Sequence, residues 1–273
     1  MRTLVFDIDN TLTPPRRPLP PPMAEALCAL TLPFHLAAGS DLDLVRPQLL
    51  DPLHSAGFRG SFDAFVSNGS HHVRCHMGEN VEWETVFQLR LRDHLGASSF
   101  AELCALLESI LDLPEFALPS SSLRVEGPRL CERGGMINLA PIGRPLSMTA
   151  AAYELRDAFV AFDTTTGYRQ RLLARLAQAT EPWQRSHGLR VSLGGQTSFD
   201  LVIDGYDKRY SLRTLLAAGH EPLTYIGDAF YPGGNDVPIL DLTESWPDGS
   251  CPIEVIRVGC WEDTLEWLQA HLR

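Results

Sequence analysis

Residues 4–13 constrain this chain most, because an apolar run there delivers two carboxylates to the end of a predicted strand. Asp7 and Asp9 are two positions apart, and in an extended backbone such residues project from the same face. Two like charges that close are costly unless a cation lies between them. Carboxylates at a strand end around a hard divalent cation are typical of phosphoryl transfer. We therefore take Asp7 as the candidate nucleophile and Asp9 as the candidate proton carrier.

Length and charge narrow the class of protein. A chain of 273 residues that is 44% hydrophobic and 21% charged is typical of a globular protein with a large core. Its net charge of −11 argues against nucleic-acid binding, because affinity for phosphate backbones needs clustered positive charge. We expect no signal peptide, since the chain opens directly on a predicted strand, and no membrane span, since no apolar run is long enough.

The cysteines predict the compartment. They are widely scattered, with no CxxC pair, and are Cys28, Cys75, Cys104, Cys131, Cys251 and Cys260. This spacing predicts reduced thiols that fill small spaces in the core, and hence a cytoplasmic protein.

Strands and helices are predicted to alternate in the two terminal parts of the chain. The strands are predicted over residues 4–8, 34–38, 64–66, 223–226 and 253–258. The helices are predicted over residues 23–30, 42–50 and 208–218 and at the C-terminus, and residues 14–22 form a stiff proline-rich loop. This alternation predicts an α/β fold, a doubly wound Rossmann-like core with a parallel sheet.

The middle of the chain follows a different pattern. Helices are predicted over residues 83–94, 99–111, 149–162 and 168–187, and strands over residues 123–126, 136–140, 189–193 and 198–203. Because βαβ alternation is missing here, we predict an inserted α+β module. The core is thus expected at residues 1–80 and 204–273, and the inserted cap domain at residues 81–203.

Polar side chains follow four predicted core strands. They are Asp7 with Asp9, Ser40, Asn68 and Asp228. Taken singly, most of them have a structural alternative as a helix N-cap or a turn residue. Their shared position favours a site, because open α/β sheets bind ligands beyond the carboxyl ends of their strands.

Two further groups extend this candidate site. Lys208 begins a crossover helix and would reach a phosphoryl oxygen as a point charge, although a surface lysine is the common alternative. Asp228 and Asp236 flank a glycine turn, and with Asp7 they form an oxygen-only set that suits Mg²⁺ better than zinc.

Six segments, in order along the chain, resemble the eukaryotic-type phosphomannomutase family, which belongs to the haloacid dehalogenase superfamily with a type IIB cap. They are FDIDNTLTPPR (6–16), GSD (39–41), RGGMINLAPIGR (133–144), GGQTSFD (194–200), DGYDKRY (204–210) and the segment from Gly227-Asp228 to PGGND (232–236). The resemblance covers nearly the whole chain.

The resemblance implies roles for residues of the core. Asp7 would be the phosphorylated nucleophile and Asp9 the general acid and base. Mg²⁺ would be held by Asp7, the backbone oxygen of Asp9 and Asp228. Supporting groups would be Asn235 and Asp236 for the metal, and Ser40 and Lys208 for the transferring phosphoryl group.

It also implies a substrate and an activator. The residues that would position the hexose phosphate are Arg16, Arg133, Asn138, Arg144, Ser198 and Asp200. The reaction would interconvert mannose 6-phosphate and mannose 1-phosphate and supply GDP-mannose synthesis. A hexose 1,6-bisphosphate would be both the activator and the intermediate. The family further implies a homodimer formed through the cap, and the apolar residues 103–111 are compatible with that.

Three positions depart from the family pattern. Asn10 replaces a glycine, and asparagine is the next best residue at a left-handed backbone conformation. Leu44 replaces a common lysine. Ala151 replaces a phosphate-binding arginine, and because a charge-assisted hydrogen bond is worth about 1.5–3 kcal/mol, substrate binding would weaken about tenfold or more. Arg156 is expected to be a poor substitute, because five positions rotate it roughly 140° around a helix.

Three alternatives stay open on sequence alone. A sugar-phosphate phosphatase would use the same aspartyl phosphate with water as the acceptor, and a metabolite-binding protein would have lost catalysis. The cluster His71, His72, Cys75 and His76 contains zinc-ligand types, but it follows a predicted turn and is expected to form an exposed hairpin with a structural role. Sequence alone does not separate mannose from glucose phosphates.

Overall fold

The computed structural model describes residues 2–147, 149–194, 196–232, 234–243 and 251–271. The chain divides into two units, Met1–Gln88 with Gly205–Arg273 and Leu89–Asp204. The first unit extends to Gln88, whereas the core was predicted to stop at residue 80.

The strands are β1 (Thr3–Phe6), β2 (Phe34–Ala37), β3 (Gly60–Val66), β4 (His71–Met77), β5 (Val81–Gln88), β6 (Leu130–Arg133), β7 (Met136–Leu139), β8 (Leu189–Gly194), β9 (Ser198–Ile203), β10 (Leu223–Gly227) and β11 (Ile253–Arg257). The α-helices are α1 (Pro21–Ala29), α2 (Leu42–Val45), α3 (Asp51–Ser55), α4 (Leu91–Leu95), α5 (Ala97–Leu111), α6 (Ala150–Thr166), α7 (Tyr168–Ala179), α8 (Glu181–His187), α9 (Lys208–Ala217) and α10 (Trp261–His271).

The sheet of the first unit has the order β11-β10-β1-β2-β3-β4-β5. The strands from β11 to β3 run parallel, and β4 and β5 add an antiparallel edge. The chain moves from β1 to β2 on one side and returns as β10 on the other, so the topological switch point lies beside β1. The predicted doubly wound α/β core is confirmed.

Both faces of this sheet are covered, which explains the apolar run from Leu4 to Phe6 in β1. Leu4 and Phe6 pack into a core shared with α1 and α10, whereas Val5 packs into a second core with Leu212 and Leu215 of α9. A parallel strand buried on both faces needs apolar residues at successive positions. The strand therefore ends at Phe6, immediately before the first carboxylate, Asp7.

The second unit has an antiparallel sheet of order β6-β7-β9-β8 together with helices α4 to α8. The start of α6 is capped by Thr149, whose hydroxyl accepts the Ala152 N–H at 3.2 Å, and its end is set by Gly167 at φ 63°. These are the residue types that such caps favour. The predicted α+β module is present.

Two secondary-structure predictions were wrong. Residues 83–88 form the last six residues of β5 and not a helix, because Val81 and Trp83 alternate with exposed Glu82 and Glu84, as in an edge strand. Residues 123–126 form no strand, and the edge strand of the second sheet is Leu130–Arg133 instead.

The apolar residues 103–111 lie mostly on the inner face of α5, and dimerisation through the cap stays a prediction. Leu103, Leu107 and Ile110 are buried within the chain itself. Their apolar periodicity therefore reflects the inner face of α5, whereas Cys104 and Ala105 line an open pocket beside Leu130.

The histidine and cysteine cluster lies on β4, which pairs antiparallel with β3 and β5. The predicted hairpin is present and His76 is exposed, whereas His72 and Cys75 are buried. Cys75 is buried in the apolar core beside α1, and burial raises the pKa of its thiol to about 12. His72 lies on the opposite face, where its ring stacks on Phe65 with centroids 4.2 Å apart. These side chains therefore serve the packing of the sheet.

All six cysteines are unpaired, but only Cys75 is buried, so the prediction that they fill the core is wrong for the other five. No helix in the described ranges combines the length and the apolar character that a bilayer crossing needs.

A buried group of ionisable side chains lies between β2, β3 and β4. The carboxylate of Asp63 accepts hydrogen bonds from His72 Nε2 at 3.0 Å and from Arg74 Nε at 3.1 Å. His35 Nδ1 accepts the Asp63 backbone N–H at 3.0 Å, which leaves His35 as a neutral ring. The edge of this ring lies against His220, with centroids 4.9 Å apart.

We predict that His35 makes folding sensitive to acid. Burial lowers the pKa of His35 from 6.5 to about 4. Between pH 6.5 and pH 4, His35 binds a proton in the unfolded chain but not in the folded chain. The stability that neutral His35 contributes is therefore fully present above pH 6.5 and is lost as the pH falls towards 4. Substitution His35→Asn keeps an acceptor for the Asp63 N–H and removes the titrating group. It should remove about 2 kcal/mol of the change in unfolding free energy between pH 7 and pH 5. Urea unfolding of both proteins at the two pH values measures this difference, and equal changes would contradict it.

Candidate active site

The carboxyl ends of β1 and β10 bring the predicted acids together. Asp7 follows β1 directly and Asp228 follows β10, its neighbour in the sheet. Asp7 is bound into the sheet by its own N–H, which donates to Ile226 O at 2.9 Å. Among the described residues, one group of His, Cys, Asp and Glu side chains could hold a metal. It consists of Asp7, Asp228 and Asp236, whose ligand atoms lie within 4.8 Å of one another.

Lys208 is the only lysine of the chain, and it lies between two of these acids. Its Nζ is 2.7 Å from Asp7 Oδ1 and 2.6 Å from Asp236 Oδ1. Its side chain is 0% exposed, and it occupies the first position of α9, where the helix dipole disfavours a cation. Burial and the helix dipole both disfavour the charged form of Lys208. The two neighbouring carboxylates are therefore what stabilises its ammonium group.

The charges of this site are strongly coupled. Burial raises the pKa of Asp7 to about 7, although Lys208 acts in the opposite direction. Burial also opposes the charged form of Lys208, but Asp236 and Asp7 raise its pKa above the ordinary value of 10.5. The pKa of Asp228 is raised, chiefly by burial. The site therefore holds more negative charge than one ammonium group neutralises.

Asp236 is held by donors on all sides. Its Oδ1 accepts the Tyr225 hydroxyl at 2.6 Å as well as Lys208, and its Oδ2 accepts the Ala229 N–H at 2.9 Å. A Cβ at position 227 would lie 2.5 Å from Asp236 Oδ2, which explains the glycine there. Asp236 thus positions Lys208, while Asp7 and Asp228 are left as the carboxylates that would hold a cation.

This donor set fits the predicted divalent cation. It contains only oxygen ligands, as Mg²⁺ prefers, and its three carboxylates face a single ammonium group, that of Lys208.

Asp9 lies beside these acids but has a different environment. Its Oδ1 accepts the Arg16 backbone N–H at 2.8 Å and Gln48 Nε2 at 2.7 Å. The Arg16 side chain approaches Asp9 Oδ2 at 3.7 Å and is largely exposed. Asp9 therefore has two fixed donors on one oxygen, as a directed proton carrier requires.

Gln48 is a residue of this site that sequence reasoning missed. Its Nε2 donates to Thr13 Oγ1 at 2.7 Å as well as to Asp9. It lies in a π-helical turn, Arg46–Leu50, between α2 and α3. The Gln48 carbonyl lacks its usual helical donor because residue 52 is proline, and it accepts the Leu19 N–H at 2.8 Å instead. The sequence signal that could have identified Gln48 is the proline four positions after it, at residue 52.

The ends of β2 and β3 are tied together near Ser40. Its carbonyl accepts the Ser67 N–H at 2.7 Å, and the residue is buried. Asn235 Nδ2 donates to Asn68 Oδ1 at 3.2 Å, so its amide is directed at this corner. The roles predicted for Ser40 in phosphoryl binding and for Asn235 in metal support remain predictions.

The second unit brings four predicted substrate residues into one polar cluster. Arg144 Nε donates to Asn138 Oδ1 at 2.8 Å, and Arg144 Nη2 donates to Ser198 Oγ at 3.0 Å. Asn138 Nδ2 donates to Asp200 Oδ1 at 2.6 Å. A Cβ at Gly194 would lie 2.6 Å from this Asp200 oxygen, so only glycine fits there.

This cluster concentrates positive charge. Burial lowers the pKa of Arg144, and the charges of Arg133 and Arg156 lower it further. Arg156 therefore lies close enough to influence the cluster, whereas Ala151 is exposed. Arg156 thus adds to the charge around Arg144, and the expectation that it is a poor substitute for an arginine at position 151 stays a prediction. Leu44 is 38% exposed, and Gly195 and Gly233 of the motif segments lie outside the described residues.

We predict that Lys208 stays charged at high pH. Since it is the only lysine, protein labelled with carbon-13 lysine gives a single side-chain Cε signal. The signal should remain at its ammonium position above pH 10.5, because Asp236 and Asp7 raise the pKa of Lys208. Substitution Asp236→Asn should lower the midpoint. A wild-type midpoint at or below the value for unfolded lysine, about 10.4, would contradict the ion pairs.

Comparison with known proteins agrees with this geometry. The sequence profile described as eukaryotic phosphomannomutase matches residues 31–245. The chain is 31% identical over 246 residues to a phosphomannomutase of Schizosaccharomyces pombe, across 88% of this chain and 85% of that protein. It is 32% identical over 242 residues to a probable phosphomannomutase of Caenorhabditis elegans, across 87% of this chain and 85% of that protein.

A solved structure shares the fold. The truncated, IMP-bound IMP-nucleotidase of Plasmodium falciparum has a TM-score of 0.60 to this chain at 13% identity, across 99% of this chain and 68% of that chain. At that identity the similarity shows the fold alone. The profile match and the two relatives, which span most of the chain, show that this protein belongs to the eukaryotic phosphomannomutase family.

Proposed function

We propose that this protein is a phosphomannomutase that interconverts D-mannose 6-phosphate and α-D-mannose 1-phosphate. The observation that carries the proposal is Asp7, a strand-end carboxylate 2.7 Å from the buried ammonium group of Lys208. Membership of the family supplies the substrate class. Residues Met1–Gln88 and Gly205–Arg273 would form the catalytic core, and Leu89–Asp204 the substrate-binding cap.

Asp7 would be the nucleophile. Its carboxylate oxygen attacks the phosphorus of a phosphorylated sugar, and the bond between phosphorus and the sugar oxygen breaks as the aspartyl phosphate forms. Lys208 balances the phosphoryl charge, and Asp236 and Tyr225 keep Lys208 in place. Ser40, buried beyond β2, would donate to a phosphoryl oxygen.

Asp9 would move the proton. It protonates the departing sugar oxygen and later removes the proton of the hydroxyl that attacks the aspartyl phosphate. Gln48 and the Arg16 backbone N–H hold Asp9 Oδ1. The other oxygen, Oδ2, which the exposed Arg16 side chain approaches at 3.7 Å, would exchange the proton.

Mg²⁺ is the cation that we propose for the acidic cluster. Asp7, Asp228 and the backbone oxygen of Asp9 would hold it, with Asp236 and Asn235 as supports. When bound, it would neutralise phosphoryl charge and keep Asp7 ionised. A hexose 1,6-bisphosphate would be the activator, because a second phosphoryl group must be present to regenerate the phosphorylated enzyme.

The cluster of the second unit would bind the hexose phosphate. Arg144 offers a planar fork to a phosphate that is not reacting, and Arg133 and Arg156 add charge beside it. Asp200 and Ser198 would accept and donate hydrogen bonds to sugar hydroxyls, with Asn138 as the residue that orients both.

The setting of the enzyme is also proposed. Six unpaired cysteines support a reducing compartment, for which we propose the cytoplasm, where the product would supply GDP-mannose synthesis. Family membership supports a homodimer through the cap, and β6 leaves one edge of the cap sheet unpaired within the described chain.

We predict that mannose 1-phosphate is converted to mannose 6-phosphate in the presence of Mg²⁺ and bisphosphate, because Asp7 can pass the phosphoryl group to a sugar hydroxyl. Phosphorus NMR identifies both esters and free phosphate in one spectrum. Substitution Asp7→Asn should abolish conversion. Free phosphate as the main product, with and without activator, would contradict mutase activity and indicate a phosphatase with the same fold.

We predict that Arg144→Met raises KM by roughly tenfold to a hundredfold, because a charge-assisted hydrogen bond of about 1.5–3 kcal/mol is lost. Arg190→Met is the matched control, since Arg190 lies on β8 of the same sheet and pairs with Asp204 at the surface. Steady-state kinetics with mannose 1-phosphate compares the variants. Equal KM values for Arg144→Met and the control would show that Arg144 does not bind substrate.

Restoring the family arginine at position 151 should change KM in the opposite direction. Ala151 is exposed in the first turn of α6, so Ala151→Arg can be accommodated there. We expect it to lower KM about tenfold, which is the charge-assisted bond regained. An unchanged KM in Ala151→Arg, together with a raised KM in Arg156→Met, would show that Arg156 already supplies that contact.

A further inference from the structure

Asn10 is bound to two other loops at the carboxyl end of the sheet. It follows the two acids after β1 and has φ 62°, a left-handed conformation that glycine and asparagine adopt more readily than other residues. Its side-chain nitrogen donates to Asp228 Oδ2 at 3.1 Å and to the Gly259 carbonyl at 2.9 Å. A primary amide nitrogen carries two hydrogens, so both bonds form at once.

These two bonds connect three neighbouring strand ends. Asp228 follows β10 and Gly259 follows β11, and the two strands are adjacent in the sheet. The Val258 N–H donates to Gly227 O at 3.0 Å, so the backbones behind Asp228 and Gly259 are already joined. The Asn10 amide therefore spans from the β1 loop to a pair of loops that is itself fixed.

The bond to Asp228 has a direction that matters. Asp228 is partly exposed, and one of its carboxylate oxygens lies within 4.8 Å of a carboxylate oxygen of Asp7 and of Asp236. A carboxylate with one oxygen fixed by an amide donor presents its other oxygen in a defined orientation. Loss of a group that orients a metal ligand in this way typically weakens metal affinity about tenfold to a hundredfold.

We propose that Asn10 is a positioning residue that fixes the Asp228 carboxylate for the divalent cation. The proposal rests on the proposed function for the cation itself, and goes beyond it by assigning Asn10. The family glycine at this position has no side chain and cannot make either bond. Asn10 therefore fixes the orientation of the Asp228 carboxylate. With glycine at position 10, only the backbone would determine that orientation.

The test compares Mg²⁺ binding by wild-type protein and Asn10→Gly. Glycine adopts φ 62° without strain, so this variant removes the amide and keeps the backbone. Titration calorimetry with MgCl₂ alone measures affinity without any turnover. We expect binding to weaken about tenfold. The rise in melting temperature produced by a fixed Mg²⁺ concentration should fall in parallel.

Two control variants define what the titration reports. Asp228→Ala should abolish the binding isotherm, which assigns it to this site. Asp263→Ala loosens the β11 loop without touching Asn10, because Asp263 Oδ2 accepts the Gly259 N–H at 2.7 Å and the Cys260 N–H at 3.3 Å. We expect Asp263→Ala to lower the melting temperature and to leave Mg²⁺ affinity unchanged.

The outcomes separate the two proposals. If wild-type protein binds Mg²⁺ through Asp228 and Asn10→Gly binds it equally well, Asn10 has no positioning role and the proposed function stands. Equal weakening in Asp263→Ala and Asn10→Gly would assign the effect to loop order and would also overturn the inference. Absence of Mg²⁺ binding at Asp228 in wild-type protein would overturn both proposals.

Discussion

The carboxylates of Asp7 and Asp236 can lie close together at the rim of the first sheet because the ammonium group of Lys208 lies between them. It is buried, it is the only lysine of a chain that otherwise uses arginine, and it touches Asp7 and Asp236 at hydrogen-bond distance. A guanidinium group is larger and planar, whereas an ammonium group donates in three directions from one point. Removing this cation would leave two buried charges uncompensated, which typically costs about 3–5 kcal/mol.

The remaining polar contacts organise the same rim. Tyr225 and the Ala229 N–H fix Asp236, Gln48 fixes Asp9, and Asn10 reaches Asp228. The contacts to Asp236 are local in sequence, whereas Gln48 and Asn10 reach partners 39 and 218 positions away along the chain. The doubly wound topology thus supplies the proximity, and the side-chain bonds supply the orientation. Phosphoryl transfer depends on such fixed charges, because positioning and electrostatics account for most of its catalysis.

Sequence reasoning succeeded where the pattern is local. Apolar strands followed by Asp7 and Asp228 predicted the sheet and its rim, since burial on both faces requires such runs. It failed where tertiary contacts decide: the strand at residues 83–88 depends on pairing with β4, and Gln48 is directed by a π-helical turn. The amide of Asn10 could not be assigned either, because its two acceptors lie more than two hundred positions away.

The most direct test is to find where the phosphoryl group is attached during turnover. Protein given hexose 1,6-bisphosphate and Mg²⁺ is quenched in acid, and its peptides are sequenced by mass spectrometry. The account predicts one acid-stable, hydroxylamine-sensitive phosphoryl group on Asp7, with Asp9 unmodified. A phosphoryl group on any other side chain, or sustained turnover with Asp7 never modified, would contradict it.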